Sequence, residues 1–126
     1  QGAGGAALAL LPADRVVAAR HAWLSPLPPE GASAILHRTT ERAYEVAARQ
    51  GVRSADLLAQ GIVDRIVEED AEKDVAGDAG GSGAPDVFLG RLGQLLGAEL
   101  AALRAQDPDE RLAARRVRHR RIGLPR

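Results

Sequence analysis

Apolar and polar positions divide the first third of the chain into helix, strand and loop. Glycines crowd its opening, and the run AALALL behind them consists of strong helix formers, which predicts a helix from about Gly5 to Pro12. The segment RVVAAR then has the composition of a buried strand, which residues 21–24 extend or pair with. The three prolines of SPLPPEG exclude a regular ladder, so a loop is predicted there, before the short helix ASAIL.

The middle of the chain predicts two helices and a strand. ERAYEVAARQ has helical spacing, with Thr39 or Thr40 as its N-cap and Gly51 just past its end. Ser54 is the expected N-cap of ADLLAQ, which Gly61 closes, and IVDRIV has the alternation of a strand. Helices and strands that alternate in this way predict an α/β fold.

The last third predicts a loop and two helices. Residues 68–84 are acidic and then rich in Gly and Ser, with nothing that could bury a core, so we predict a mobile loop over 70–84. Leucines then recur at helical spacing from Leu89 to Leu103, and the three glycines among them are more simply tolerated than required by a close helix contact. Asp107, Pro108 and Glu110 supply an N-cap, a first-turn proline and a capping-box carboxylate for a final helix through about residue 121.

Composition narrows the class of protein. The chain has 126 residues, begins with Gln1 and has neither methionine nor cysteine, which predicts a processed product or a piece of a longer polypeptide. No disulfide framework or thiolate metal site is possible, and no apolar run has the length of a membrane span. Aromatic residues make up 2% of the chain, so small aliphatic side chains must fill the core. These features predict a cytoplasmic protein of one domain or part of one.

Charge is balanced overall but uneven along the chain. The 17 basic residues cancel the 17 acidic ones, yet residues 64–78 hold seven acids, and residues 111–126 hold seven arginines and no acid. An arginine run neutralises phosphates, but no base-reading or stacking element accompanies it. A solvated or subunit-facing helix is therefore the preferred interpretation, and no nucleic acid is expected.

Side chains offer little that could carry out a reaction. The three histidines are far apart, and no spacing of His, Asp or Glu fits a metal site, so none is predicted. The serines lack a G-x-S-x-G elbow, which leaves a serine hydrolase unsupported. Glu30 could act as a general base, but a glutamate after proline at a helix start more often stabilises the helix dipole.

The backbone at the opening of the chain remains as a candidate site. The first amides of a helix lack intrahelical partners and lie at the positive end of its dipole. Glycines there let a ligand approach the backbone, so a helix start near Gly5 predicts a site for an anion or a developing oxyanion. A flexible Gly/Ala linker is the alternative, which the stretch taken alone favours.

Three long segments of the chain together carry a family resemblance. In GAGGAALALLPADRVVAARHAWLSPLPPEGASAIL, a Gly-rich turn, a small-residue helix, a D-[RK]-V strand and an S-P-E-G-like loop follow one another. This order resembles the biotin-dependent carboxyltransferases, in particular the alpha half of the acetyl-CoA carboxylase carboxyltransferase. TTERAYEVAARQGVRSADLLAQGIVDRIVEE is similar to the family's segment that ends in G-I-V-D-x-I-V, and ERLAARRVRHRRIG is similar to its arginine-rich final helix. The G-I-V-D-x-I-V segment also suits enoyl-CoA hydratases and other crotonase-type enzymes.

The resemblance implies a fold and a domain organisation. The fold would be α/β, the C-terminal portion of a crotonase-like (ClpP/crotonase) β-β-α superhelix with a helical C-terminal extension. Residues 1–69 would belong to the core, residues 70–84 to a flexible loop and residues 85–126 to the extension. The Gly-Gly-Ala-His stretch of the family is absent beyond Glu69, which suits an alpha-beta fusion or a paralogue with a different acyl-CoA.

The resemblance also implies a reaction, the transfer of a carboxyl group from carboxybiotin to the α-carbon of an acyl-CoA, which gives malonyl-CoA from acetyl-CoA. By motif position, the backbone amides of Gly5 and Ala6 would be the catalytic donors to the ureido oxygen of biotin. Substrate-binding roles are expected for two further glycines of the turn and for the S-P-E-G-like loop, namely Gly2, Gly4, Pro29, Glu30 and Gly31.

The implied partners are a biotin carboxyl carrier protein, an acyl-CoA-binding half or subunit, and further subunits of an oligomer. Because one Gly-rich helix start provides a single donor pair, the chain would not be active alone. Two other classes stay open. One is a crotonase-type hydratase or isomerase, and the other is a non-catalytic interaction module that uses the arginine-rich helix.

Overall fold

A computed structural model describes residues 2–69, 84–120 and 122 of the chain. The strands within these residues are β1 (Gly2–Ala3), β2 (Val17–Ala19), β3 (Leu24–Ser25) and β4 (Arg65–Val67). The helices are α1 (Gly4–Leu8), α2 (Pro29–His37), α3 (Ala43–Gln50), α4 (Ser54–Ala59), α5 (Ala84–Arg104) and α6 (Pro108–Val117). The predicted loop over 70–84 lies outside the described residues except for Ala84, which begins α5 one residue before the predicted extension.

The strands form two parallel pairs, and the chain alternates between them. β1 pairs with β3, with Gly2 opposite Leu24, and β2 pairs with β4, with Val17 opposite Arg65. Each of two passes of the chain adds one strand to each pair, with α1 between β1 and β2 and with α2, α3 and α4 between β3 and β4. Parallel pairs joined through helices confirm the α/β class. The strand at Gly2–Ala3 was not predicted from the sequence. Residues 21–24 neither extend β2 nor pair with it, because Leu24–Ser25 pairs with β1 and Trp23 forms an isolated antiparallel bridge with Arg53.

Small aliphatic side chains form the core, as the scarcity of aromatic residues requires. α2 and α3 pack against each other, and α4 packs against β4. The buried apolar residues within the described ranges are Ala32, Val46, Val52, Leu57, Val63 and Val67. Tyr44 lies on α3 with its side chain 80% exposed. Leu10, Ile35 and Leu36 are also exposed, so a large part of the apolar surface lies outside this core.

Several predicted helix ends differ from the structure. α1 ends at Leu8, because residues 9 and 10 already form a turn before Pro12. α3 has Arg42 as its N-cap, since the chain makes a turn over residues 39–42 in which Thr39 Oγ1 accepts from Glu41 N at 3.2 Å. α6 stops at Val117, short of the predicted residue 121.

Glycines and one aspartate fix the other ends as predicted. Gly51 and Gly61 follow α3 and α4 with φ of 61° and 74°, the left-handed region that glycine adopts without a steric cost. Asp107 is the N-cap of α6, and its Oδ1 accepts from the N–H groups of Asp109 and Glu110, both at 3.0 Å. A Cβ placed on any of the three glycines within α5 would meet nothing within 4 Å, so no close helix contact requires them.

α5 lies beside the second strand pair. Glu99 of α5 accepts from Arg15 at 3.1 Å and from Arg65 at 3.0 Å, which ties the helix to the starts of β2 and β4. In the part of the chain that the structure describes, no helix combines the length and apolarity that crossing a membrane requires.

Candidate functional site

The parallel pairing of β1 and β3 brings two helix starts to one edge of the molecule. β1 leads directly into α1 at Gly4, and β3 leads through three residues into α2 at Pro29. Because the strands are parallel, their carboxyl ends lie at the same edge. Ligands of open α/β sheets bind outside the carboxyl ends of the strands. The predicted catalytic pair and the predicted loop are thus joined to neighbouring strand ends.

The start of α1 presents backbone N–H groups at this edge. Ala3 is the N-cap in an extended conformation and makes no side-chain cap hydrogen bond. Gly5 and Ala6 occupy the second and third helical positions, whose amides have no intrahelical acceptor. Neither amide donates to another described residue outside the helix. The arrangement leaves both groups able to donate to an incoming oxygen.

The glycines of the turn are explained by different causes. A Cβ on Gly2 would lie 2.9 Å from Leu24 Cδ1, so strand packing requires glycine there. Gly4 has φ of 77°, so the backbone favours glycine at the first position of α1. A Cβ on Gly5 would meet nothing within 4 Å, and its φ lies outside the left-handed region. The fold of the described residues therefore does not require glycine at position 5, which is consistent with a requirement from a ligand.

The start of α2 has a different environment. Pro29 is buried at the first helical position, and Glu30 is an exposed carboxylate in the first turn. A Cβ placed on Gly31 would lie 3.5 Å from Leu27 Cδ1, which is an ordinary van der Waals distance. Two clefts lined by described residues each border only part of the predicted site. Gly2 borders an apolar cleft of about 270 Å³, whereas Pro29 and Glu30 border a cleft of about 550 Å³.

The larger cleft contains the aromatic and charged side chains near α2. It is lined by small residues together with Arg20, His21, Trp23, Pro29, Glu30, Tyr44 and Arg53. Arg20 is paired with Glu68, and this hydrogen bond holds the pKa of the Glu68 carboxyl below its ordinary value. Arg42 lowers the pKa of Glu45 in the same way, through its hydrogen bond first and its charge second. Both carboxylates therefore serve as acceptors in exposed ion pairs.

Buried serine hydroxyls have structural roles. Ser25 donates to Leu27 O at 2.6 Å, and Ser33 donates to Thr39 O at 2.5 Å. Ser54, the expected N-cap of α4, instead lies within the helix and donates to Arg20 O at 2.5 Å, while Arg53 is the N-cap. A hydroxyl that donates to a carbonyl in this way satisfies a buried backbone acceptor, and its proton is not directed toward a general base. Ser82 lies outside the described residues.

The arginine-rich C-terminal helix turns part of its charge toward the core. Arg118 lies 2.5 Å from Asp64 Oδ2, and both Arg111 and Arg115 approach the Asp14 carboxylate, at 3.6 and 3.5 Å. This cluster was not predicted from the sequence. The available signal was an aspartate shortly before each of β2 and β4, Asp14 and Asp64, opposite in charge to the arginine run.

Metal binding has no support from the side-chain arrangement that can be described. Across residues 2–69, 84–120 and 122, no three His, Asp or Glu side chains come close enough to hold an ion.

Comparison with known sequences identifies the family. The acetyl co-enzyme A carboxylase carboxyltransferase-like family matches residues 1–123, and the chain therefore belongs to that family. This confirms the resemblance read from the three sequence segments.

The individual relatives agree with the family match. The chain is 58% identical over 126 residues to a protein of Mycobacterium tuberculosis named "Probable biotin-dependent acyl-coenzyme A carboxylase beta3 subunit", and equally so to the protein of that name in Mycobacterium bovis. It is 38% identical over 123 residues to the acetyl-coenzyme A carboxylase carboxyl transferase subunit alpha of Sphingopyxis alaskensis. These matches take in 100% and 98% of the chain, but 24% of the mycobacterial proteins and 37% of the Sphingopyxis protein. The chain thus spans about a quarter to a third of the length of these relatives.

Proposed function

We propose that this chain is the biotin-facing part of a carboxyltransferase, which transfers a carboxyl group from carboxybiotin to the α-carbon of an acyl-CoA such as acetyl-CoA. Family membership supports the reaction class. The observation that carries the proposal is Gly5, a glycine that the fold does not require, at a helix start with unpaired amides. A ligand oxygen held against the backbone would account for it.

The architecture supports a crotonase-like superhelix as the complete fold. Successive passes of the chain add parallel strands alternately to two pairs, which is the arrangement expected of two adjacent turns of a β-β-α superhelix. In this proposal residues 1–69 belong to the superhelical core, and the helices from residue 85 onward form an extension. The core would continue into the part of the relatives that this chain does not cover.

The amides of Gly5 and Ala6 are proposed as the catalytic donors. Carboxybiotin would supply the carboxyl group as CO2, and negative charge would grow on its ureido oxygen as CO2 leaves. The ureido group would then take the α-proton that the acyl-CoA loses. Two N–H groups fixed at the positive end of α1 would donate to that oxygen without reorganising. Loss of one such donor costs about 3–4 kcal/mol of transition-state stabilisation in enzymes where it has been removed. This role needs no side-chain acid, base or nucleophile.

The other predicted positions are proposed to shape the substrate site. Gly2 and Gly4 hold the turn that aims the start of α1, through close packing and a positive φ respectively. Pro29, Glu30 and Gly31 form the start of α2, which follows the neighbouring strand end. We propose that this second helix start borders the same bound substrate.

A carboxyl transfer also needs stabilisation of the thioester oxygen and delivery of biotin. We propose that an acyl-CoA-binding half or subunit and a biotin carboxyl carrier protein provide these, within an oligomer. The names of the relatives, which describe carboxylase subunits, support partner subunits in general.

No specific observation favours the two other classes. Arg111, Arg115 and Arg118 contact the carboxylates of the core, which leaves less of the arginine run available to an outside partner. A hydratase would need a catalytic carboxylate, and Glu30 has only the position of a helix-start acid.

The reaction class is tested by comparing two activities in the carboxyltransferase that contains this chain, purified with its partner subunits. We expect decarboxylation of malonyl-CoA that depends on added biotin, the reverse of the proposed transfer, and no hydration of crotonyl-CoA. Hydration of crotonyl-CoA without biotin-dependent decarboxylation would overturn the proposal in favour of a crotonase-type hydratase.

A further inference from the structure

Arg118 joins three parts of the chain that are distant in sequence. Its Nη1 donates to Asp14 O at 2.7 Å, and its Nη2 donates to Ile62 O at 3.2 Å and to Asp64 Oδ2 at 2.5 Å. The side chain is 11% exposed. Such use of the guanidinium fork requires both the planar geometry and the several donors of arginine.

The same cluster fixes the start of the second strand pair. Asp64 Oδ2 also accepts from Val16 N at 2.7 Å, and Asp64 N donates to Val16 O at 2.9 Å. Arg118 therefore contacts the Asp64 carboxylate, and this carboxylate holds Val16, just before β2, against Asp64, just before β4. Removing the guanidinium would take one donor from each of three acceptors. Asp64 Oδ2 would keep Val16 N, Asp14 O would keep Arg15 Nη1, and Ile62 O would lose the donor that Arg118 provides.

The segment held in this way is the connection from α1 to β2. Asp14 belongs to that connection, and the neighbouring His119 places Nε2 3.4 Å from Leu11 O within it. At its other end the connection continues directly into α1, whose start carries Gly5 and Ala6. Fixing the exit of this five-residue helix at two carbonyls restricts how its axis can tilt.

Polar contacts, more than apolar packing, hold the C-terminal helix in place. α6 has no buried residue, so little apolar burial holds it on the core. The contacts that join it to the α1–β2 connection are those of Arg118, the weaker approaches of Arg111 and Arg115 to Asp14, and the contact of His119. Among these, Arg118 makes the shortest.

We infer that Arg118 is a positioning residue for the proposed backbone donors: by clamping the α1–β2 connection to the start of β4, it orients α1 and with it the amides of Gly5 and Ala6. The inference rests on the proposed function, since it assigns those amides a catalytic role. Arg118 itself does not reach the substrate, and it acts on the reaction only through the orientation of α1.

The test measures turnover and local exchange in the same variants of the intact carboxyltransferase. For Arg118→Ala we expect kcat of biotin-dependent malonyl-CoA decarboxylation to fall by about 10²-fold, as a displaced catalytic geometry does, with KM for malonyl-CoA unchanged. Arg118→Lys keeps the charge but loses the fork, so an intermediate kcat is expected. Arg116→Ala is the control, because this exposed side chain on the same helix makes no hydrogen bond or ion pair with the described residues.

Hydrogen exchange provides the readout that does not depend on activity. The amides of residues 9–11, 13 and 16 should exchange faster in Arg118→Ala than in the wild type and Arg116→Ala. Unchanged exchange there would overturn the clamp even if the wild type had no biotin-dependent activity, which would separately contradict the proposed function. Faster exchange with an unchanged kcat would overturn the positioning role. If Arg118→Ala does not fold, the same two outcomes are read from Arg118→Lys.

Discussion

Two adjacent glycines should respond in opposite directions to the same substitution. A Cβ at Gly4 or at Gly5 would meet nothing within 4 Å, so the two changes differ only in backbone conformation. Gly4 has φ of 77°, where an alanine costs about 1–2 kcal/mol. Gly5 has no such constraint, and alanine there should stabilise by about 0.4–1 kcal/mol. The two variants should therefore differ by about 1.4–3 kcal/mol in the free energy of opening α1.

Native-state hydrogen exchange of the α1 amides in the intact carboxyltransferase measures this difference. Since 1.4 kcal/mol corresponds to a factor of ten, exchange of the amide of Ala9, which donates to Gly5 O at 3.0 Å, should be about 10-fold to 10²-fold faster in Gly4→Ala than in Gly5→Ala. Gly5→Ala should exchange more slowly than the wild type. Equal rates in the two variants, or faster exchange in Gly5→Ala, would refute the claim that the fold leaves position 5 unconstrained.

Three further predictions concern packing, a buried hydroxyl and an ion pair. Leu57→Ala should lower the free energy of unfolding by about 2–5 kcal/mol, because this side chain is 5% exposed. Leu58→Ala should change it by about 0.5 kcal/mol or less, because that side chain is 41% exposed. Urea denaturation compares the two variants, and equal losses of stability would contradict the assigned core. Ser54→Ala should cost about 1–3 kcal/mol in the same assay, since Arg20 O loses its buried donor, and no loss would contradict that role. Arg20→Gln should raise the pKa of Glu68 toward its ordinary value of 4.5, because the hydrogen bond from Arg20 is the main cause of its lowering. The pair therefore contributes stability above pH 4.5 that is lost as the pH falls through the lowered pKa, and an unmoved NMR titration of Glu68 would contradict the assignment.

Local signals in the sequence were sufficient where a residue acts on its immediate neighbours. Gly51 ends α3 through its own backbone freedom, and Asp107 caps α6 through amides two and three residues ahead. The helix start near Gly5 was found in the same way, from the glycines and the helix formers around it. These features need no tertiary partner, so their residues predict them directly.

Features that depend on distant partners were missed or misassigned. β1 has only two residues and exists because Leu24–Ser25 lies beside it. Serine is a residue type that favours N-cap positions, but the Ser54 hydroxyl donates to Arg20 O, 34 residues away in sequence. The cluster at Arg118 spans a sequence separation of 104 residues to Asp14. Local propensity contains no information on such pairings, which tertiary packing determines.

The central claim is that the amides of Gly5 and Ala6 stabilise charge on the ureido oxygen of biotin. Its most direct test is kcat of biotin-dependent malonyl-CoA decarboxylation in Gly5→Val, with Gly97→Val as the matched control, since a Cβ at either glycine meets nothing within 4 Å. We expect a loss of about 10²-fold or more in Gly5→Val, as large as that of a lost oxyanion donor, because the valine side chain would keep the oxygen away from the two amides, and near wild-type turnover in Gly97→Val. Near-normal turnover of a folded Gly5→Val protein would contradict the claim.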